Sequence, residues 1–203
     1  VAPASAFFAV SGFTTDGNIY VEEAAHRGAV AVVSEKPCPK YFPAVWIQVA
    51  DIHEALPAAA KSFYSNPDES LKTFGVTGTN GKTSVTWMLQ SILNASSEKC
   101  GIIGTIHYDL GGRCLPASRT TPDALELHAM LNQMRNCSCK AVAMEISSHS
   151  ISQKRAKGIH LDCACFLNLT QDHMDYHKTM ESYFETKASM FTGGLGSLPK
   201  NAV

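Results

Sequence analysis

Apolar positions alternate along the chain between short continuous runs and helical spacing. Residues 6–10 (AFFAV) and 29–34 (AVAVVS) are rich in aromatic or β-branched residues and predict buried strands. Between them lie a loop over 11–17 and a helix over 18–27. A proline-rich connector over 37–43, a strand over 44–49 and a helix over 52–64 follow. This alternation predicts a small α/β domain. Asn66, Pro67, Asp68, Glu69 and Ser70 form a breaker cluster, so the expected boundary separates a domain over 1–69 from one over 70–203.

The second half repeats the alternation. A strand over 71–77 precedes a helix whose apolar face is Val85, Met88, Leu89, Ile92 and Leu93. A glycine-containing strand over 100–108 comes next, then an amphipathic stretch carrying Leu125, Leu127, Met130, Leu131 and Met134. Strands over 140–146 and 161–169 follow. A helix over 179–191 carries Met180, Tyr183, Phe184 and Met190, with Lys187 turned toward the packed face. The glycine-rich 193–199 segment is a loop, and 201–203 reads as the start of a further strand. The fold class is α/β: a small N-terminal α/β domain, then a mostly parallel-sheet domain. No internal repeat stands out.

The loop between the 71–77 strand and its helix brings the first candidate chemistry. Gly78, Thr79, Asn80, Gly81, Lys82, Thr83 and Ser84 lie between a strand and a helix N-terminus. Loop N–H groups and the helix dipole there favour an anion, and the glycines let a phosphate approach the backbone. Lys82 would reach the outer phosphates and the Thr83 hydroxyl would hold Mg²⁺. The strict P-loop pattern places a glycine where Val76 stands, and this loop carries its other glycine at Gly78 instead. The reading is a nucleotide-binding loop; the plain alternative is a Gly/Asn turn with a surface lysine.

Other candidates sit at strand ends, where a parallel sheet forms its ligand crevice. Glu145 closes an apolar run and is placed to hold Mg²⁺ or to be a satisfied strand-end carboxylate. Ser147, Gln153 and Arg155 follow it, and the Arg155 fork suits a carboxylate or phosphate, or else a solvated loop. Thr121 or Asp123 could cap the next helix, or Thr120 and Thr121 could donate to a substrate. Asp172, His173, Asp175 and His177 form a metal-competent set beyond a strand end. In the 11–17 loop Asp16-Gly17 reads first as a turn, with Phe13 an alternative aromatic platform.

Composition narrows the function. A net charge of -1 leaves no footprint for nucleic acid or an anionic membrane. No apolar run approaches the roughly 18 residues of a spanning helix, and no signal peptide is visible. The 7 cysteines include two pairs spaced by two, which does not match zinc-ribbon spacing, and read as reduced thiols in a cytoplasm. The chain starts at Val1, so the true N-terminus is expected to lie upstream.

Taken together, GTNGKTS (78–84), RTTP (119–122), MEISSH (144–149), QKR (153–155), NLTQDHMDYH (168–177) and ETK (185–187) resemble the Mur ligases. These are ATP-dependent amide-bond-forming enzymes of peptidoglycan precursor synthesis. The motifs occur in family order across almost the whole chain. The DHMDYH form, the Thr pair and the SSH…QKR spacing look most like the members that add meso-diaminopimelate or L-lysine to UDP-N-acetylmuramoyl-L-Ala-D-Glu. The resemblance implies that residues 78–84 bind ATP and that Lys82, Glu145, His173 and Lys187 are catalytic. It implies two Mg²⁺ sites, one at Thr83 and Glu145 and one at His173 and a carbamylated Lys187. It implies that Thr120, Thr121, Ser147, Gln153 and Arg155 hold the acceptor peptide. Phe13, Thr14 and Thr15 would belong to the uridine loop, although relatives often carry histidine where Phe13 stands. The resemblance further implies a monomer acting on UDP-muramoyl dipeptide, ATP and a diamino acid, with a C-terminal domain expected beyond Val203. Rival readings are a folylpolyglutamate synthase-like ligase, a P-loop ATPase or nucleotide switch, and a sugar-nucleotide-binding module.

Overall fold

The structure, a computed structural model, describes residues 1–12 and 15–203. Phe13 and Thr14 lie outside the described residues. The chain divides into two compact units, residues 1–56 and 57–203. The division falls inside a helix, at Pro57, which has no N–H to continue the helical ladder. It lies upstream of the breaker cluster at 66–70.

In the first unit, β1 (Ala6–Phe8), β2 (Ala31–Ser34) and β3 (Val45–Gln48) form a parallel sheet in the order β1-β2-β3. The expected helix over 18–27 is a 3-10 turn, Gly17–Tyr20, followed by α1 (Val21–His26). Ala9, Val21 and Val32 form its small core with Phe7, Phe42 and Trp46 against them. The sequence continues into α2 (Ile52–Phe63), whose later residues belong to the second unit.

The second unit holds β4 (Lys72–Thr77), β5 (Cys100–Ile103), β6 (His107–Asp109), β7 (Cys114–Pro116), β8 (Ala141–Glu145), β9 (Cys163–Phe166) and β10 (Asn201–Ala202). Their order is β10-β9-β4-β8-β5-β6-β7, with β10 through β5 parallel and β6 and β7 antiparallel. Its helices are α3 (Lys82–Ala95), α4 (Ala124–Asn136), α5 (Ser148–Ser152), α6 (Met174–His177) and α7 (Met180–Ala188).

Strand β8 lies between β4 and β5 and is buried along its whole length, as a central parallel strand must be. Its side chains alternate between two cores. Val142 and Met144 join Ile103 and the α4 residues Leu127, Met130, Leu131 and Met134. Ala141 and Ala143 join Cys100, with Leu89 and Leu93 of α3 packed over them. Burying one such large side chain contributes roughly 1.5–3 kcal/mol.

Four further expectations change. The single strand over 100–108 is broken: β5 ends at Ile103, and the chain reverses through Gly104, Thr105 and Ile106 into the β6–β7 hairpin. The strand over 161–169 shortens to β9, because residues 167–170 turn to bond the loop after β4. On α3 the inward stripe includes buried Thr86 with Leu89 and Leu93, leaving Met88 61% and Ile92 63% exposed. In α7, likewise, Tyr183 is buried while Phe184 is 49% exposed.

Candidate functional site

The loop after β4 turns on two left-handed glycines, Gly78 at φ +147° and Gly81 at φ +87°, the latter being the N-cap of α3. A Cβ on Gly78 would sit 3.1 Å from Leu167 Cβ, so the residue must be small as well as permissive. Val76, where the strict pattern asks for glycine, lies within β4 at a negative φ that any residue adopts. The loop is knit to the segment after β9. Thr79 N–H donates to Asn168 O (3.1 Å), and Asn80 exchanges two 3.0 Å bonds with the Asn168 amide. The Thr79 hydroxyl accepts from Thr170 N–H at 3.0 Å and meets Tyr183 Oη at 3.3 Å.

Lys82 opens α3 and folds back over the loop, with Nζ donating to Gly78 O and Thr79 O at 2.9 Å each. Burial lowers its pKa, opposed by the charges of Glu145 and Asp172. Thr83 lies one residue further along and donates through Oγ1 to Glu145 Oε1 at 2.9 Å. Ser84 is exposed on the first helical turn.

Glu145 ends β8 in register with Val76 of β4, and its side chain is buried. Its carboxylate accepts from Thr105 N–H at 2.9 Å (Oε1) and from Thr105 Oγ1 at 3.0 Å (Oε2). A Cβ on Gly104 would lie 2.4 Å from Oε1, so glycine at 104 leaves the carboxylate its place. Thr83 and Glu145 supply hard oxygen donors side by side, the set that suits Mg²⁺ completed by water and phosphate.

The acceptor candidates extend from the same carboxylate. Thr105 Oγ1 lies 3.1 Å from Thr120 Oγ1. Thr121 is buried and donates to Glu145 O at 2.8 Å while accepting from Ser147 N–H at 3.2 Å. Its hydroxyl hydrogen is therefore committed inside the protein. The cap of α4 is Asp123, which accepts from Glu126 N–H at 3.0 Å. Ser147 caps α5 by accepting from Ser150 N–H at 3.1 Å, and Gln153 closes the same helix. Arg155 donates through Nη1 to Thr121 O, whereas its buried Nε has no hydrogen-bond partner. Burial lowers the Arg155 pKa, and the like charge of Arg119 adds to the effect. The charge of Asp123 opposes these effects, and the unpartnered Nε leaves Arg155 a donor that suits an anion.

The set Asp172, His173, Asp175 and His177 does not converge. His177 turns inward to Ser148 Oγ (2.9 Å), and His173 stays half exposed beside Asp172, 3.5 Å away. Among the described residues no three His, Cys, Asp or Glu side chains form a metal-binding group. His173 adopts the left-handed conformation at φ +55° and packs edge-on to His149 at 4.8 Å. Lys187 is 1% exposed, with Nζ donating to Gly78 O at 2.9 Å and lying 4.6 Å from the Tyr183 ring centroid. Burial, then the like charge of Lys82, bring its pKa down to about 8. As an ammonium it does not fit a cation site.

In the first unit, Thr15 is exposed and its carbonyl accepts from Gly12 N–H at 2.9 Å. Ser11 and Asp16 form an isolated antiparallel bridge. Lys36, and then the Asn18 N–H, hold the Asp16 carboxyl well below the usual carboxylate range. Asp16 thus caps the following 3-10 turn.

Sequence reasoning missed Thr105 and Tyr108. Tyr108 Oη donates to Arg119 O at 2.6 Å and accepts from Arg119 N–H at 3.1 Å, fixing the approach to Thr120. The available signal was Gly104, a glycine interrupting an apolar strand, which marks a close approach of another group.

Comparison with known proteins shows the family. The Mur ligase middle domain matches residues 76–196, and the Mur ligase family catalytic domain matches residues 1–64. A UDP-N-acetylmuramoyl-L-alanyl-D-glutamate--2,6-diaminopimelate ligase of Caldanaerobacter subterraneus subsp. tengcongensis is 44% identical over 93% of this chain and 39% of the relative. The Geobacillus kaustophilus protein of the same name is 45% identical over 94% and 39%. A solved structure with that title superposes with a TM-score of 0.79 at 29% identity, covering 94% of this chain and 39% of the other. The chain therefore spans about two fifths of the length of these relatives. With the middle-domain match covering more than half of its residues, and the glycine loop and buried carboxylate lying inside that match, this chain belongs to the Mur ligase family.

Proposed function

We propose that the chain is the acceptor- and nucleotide-binding part of an ATP-dependent ligase that extends UDP-N-acetylmuramoyl-L-Ala-D-Glu with a diamino acid. The observation that carries this reading is Glu145. One face of its carboxylate meets Thr83 of the nucleotide loop, and Thr105 links the other to Thr120 of the acceptor segment. A nucleotide site and an acceptor site joined at one carboxylate suit transfer of a phosphoryl group between them.

In this reading the N–H groups of Gly81, Lys82 and Thr83 and the Lys82 ammonium bind the outer phosphates, Lys82 exchanging its two carbonyl contacts for phosphate oxygens, while Thr79 and Asn80 stay bonded to Asn168. Arg155, with Arg119 near it, holds an anionic group of the acceptor, and Thr120, Thr121, Ser147 and Gln153 line the same segment. The γ-carboxylate of D-Glu attacks the γ-phosphorus, ADP leaves, and an acyl phosphate forms. The incoming amine adds to its carbonyl, and the tetrahedral intermediate collapses with loss of phosphate and a proton. ATP is needed because a carboxylate is a poor electrophile at neutral pH.

Magnesium, when bound, supplies neutralisation of the phosphate charge. Thr83 and Glu145 would hold one ion. His173 would hold a second with Lys187, provided that the Lys187 amine has added to CO₂ and lost a proton to become a carbamate. The low Lys187 pKa supports that step, since more of the amine is neutral than in an ordinary lysine. Phe13, Thr14 and Thr15 are assigned to the uridine end, with functional domains over 1–69 and 70–203. The free thiols of all 7 cysteines suit a cytoplasmic protein, and it is assigned as a monomer.

The test is end-point chemistry with the full-length protein, ATP, Mg²⁺ and the UDP-dipeptide, offered meso-diaminopimelate or L-lysine. The expected result is ADP and UDP-tripeptide with one of the two amines. ATP hydrolysis without peptide product from either would contradict the assignment.

A further inference from the structure

Thr105 lies outside every motif that carried the family resemblance, yet it makes more contacts to Glu145 than any residue of the nucleotide loop. Its N–H donates to Oε1 at 2.9 Å and its hydroxyl to Oε2 at 3.0 Å, so one residue grips both oxygens. A hydroxyl has one hydrogen. With that hydrogen on Glu145, the 3.1 Å contact between Thr105 and Thr120 must have Thr120 as donor. The result is a directional chain from the Thr120 hydroxyl, through the Thr105 hydroxyl, to the Glu145 carboxylate. Thr120 is left with lone pairs, not a hydrogen, to offer an incoming group.

The remaining contact to the carboxylate, from Thr83 Oγ1 to Oε1, is of a different kind. A cation shared by Thr83 and Glu145 needs the lone pairs of both, so the Thr83 hydrogen has to turn away when the cation enters. The two Thr105 bonds do not conflict with the cation and can stay. Gly104 allows this arrangement, since any Cβ there would meet Oε1.

We infer that Thr105 is a positioning residue: it holds Glu145 in the orientation that lets Thr83 and Glu145 share a divalent cation, and it ties that orientation to Thr120. The inference rests on the nucleotide-site reading above. It concerns a residue that does not itself touch nucleotide or cation.

The test is titration of a non-hydrolysable ATP analogue into the chain, with Mg²⁺ or with EDTA, for the parent, Thr105→Val and Thr105→Ser. In the parent, Mg²⁺ should tighten binding. Thr105→Val keeps the backbone bond and the shape but loses the hydroxyl. It should leave the EDTA affinity unchanged and lose about tenfold of the Mg²⁺ enhancement, the scale of one hydrogen bond to a charged group. Thr105→Ser should restore the enhancement. A purely structural role would instead lower both affinities together, along with the melting temperature. If Thr105→Val melts early, Thr105→Ala carries the same comparison. Full Mg²⁺ enhancement in the folded variant lacking the hydroxyl would overturn the inference. A parent chain that binds no analogue under either condition would overturn the nucleotide-site reading, and the inference with it.

Discussion

On α4, His128 is 0% exposed and neither ring nitrogen has a hydrogen-bond partner. Burial pushes its pKa down to about 4, with Lys61 adding to the shift and Asp68 opposing it. The unfolded chain, with an ordinary histidine near 6.5, binds more protons than the folded one between those two values. Stability is therefore fully present above about pH 6.5 and falls as pH drops toward 4. The loss is roughly 3 kcal/mol for this one group. Urea unfolding at several pH values should show that His128→Leu flattens the decline relative to the parent. Equal pH dependence in the two proteins would contradict the assignment. Nothing in the sequence marked His128, because helical spacing brings a residue to the buried face without saying whether a partner waits there. Lys82, Thr83 and Glu145 were legible for the opposite reason. Each stands at a junction of strand, loop and helix, a placement that local pattern does encode, and the structure brings Thr83 and Glu145 together there.

At the scale of elements, the parallel strands and their helices were readable because short β-branched runs alternate with helical spacing. The β6–β7 hairpin was not read, although its turn carries a local signal: Gly111-Gly112 follows Asp109, whose carboxylate accepts from Gly111 N–H. The face of α3 was misjudged because two apolar stripes compete, and Thr86 packs inward where Met88 does not. Helix caps also settle an ambiguity left by the sequence. Thr121 and Asp123 were both candidates for the start of α4, and the Asp123 carboxylate takes the role while Thr121 bonds Glu145 O. Asp123→Ala should accordingly cost about 1 kcal/mol of stability by chemical denaturation. No loss would show that α4 begins without help from this side chain.

For the whole molecule, the two compact units and the length relation to relatives set what the chain can do alone. It spans about two fifths of proteins whose names specify a complete ligation. It carries the glycine loop, the buried carboxylate and the Arg155 guanidinium bonded to Thr121. In the proposed reading, the groups assigned to nucleotide and acceptor lie within these 203 residues, so binding can be tested apart from turnover. The most direct measurement is isothermal titration of UDP-N-acetylmuramoyl-L-Ala-D-Glu into the chain, with and without a Mg-ATP analogue, repeated on Arg155→Ala. The account predicts saturable binding that weakens at least about tenfold when the guanidinium is removed, the scale of a lost charge-assisted contact. Nucleotide binding without any binding of the UDP-dipeptide, in this chain and in the full-length protein alike, would contradict it.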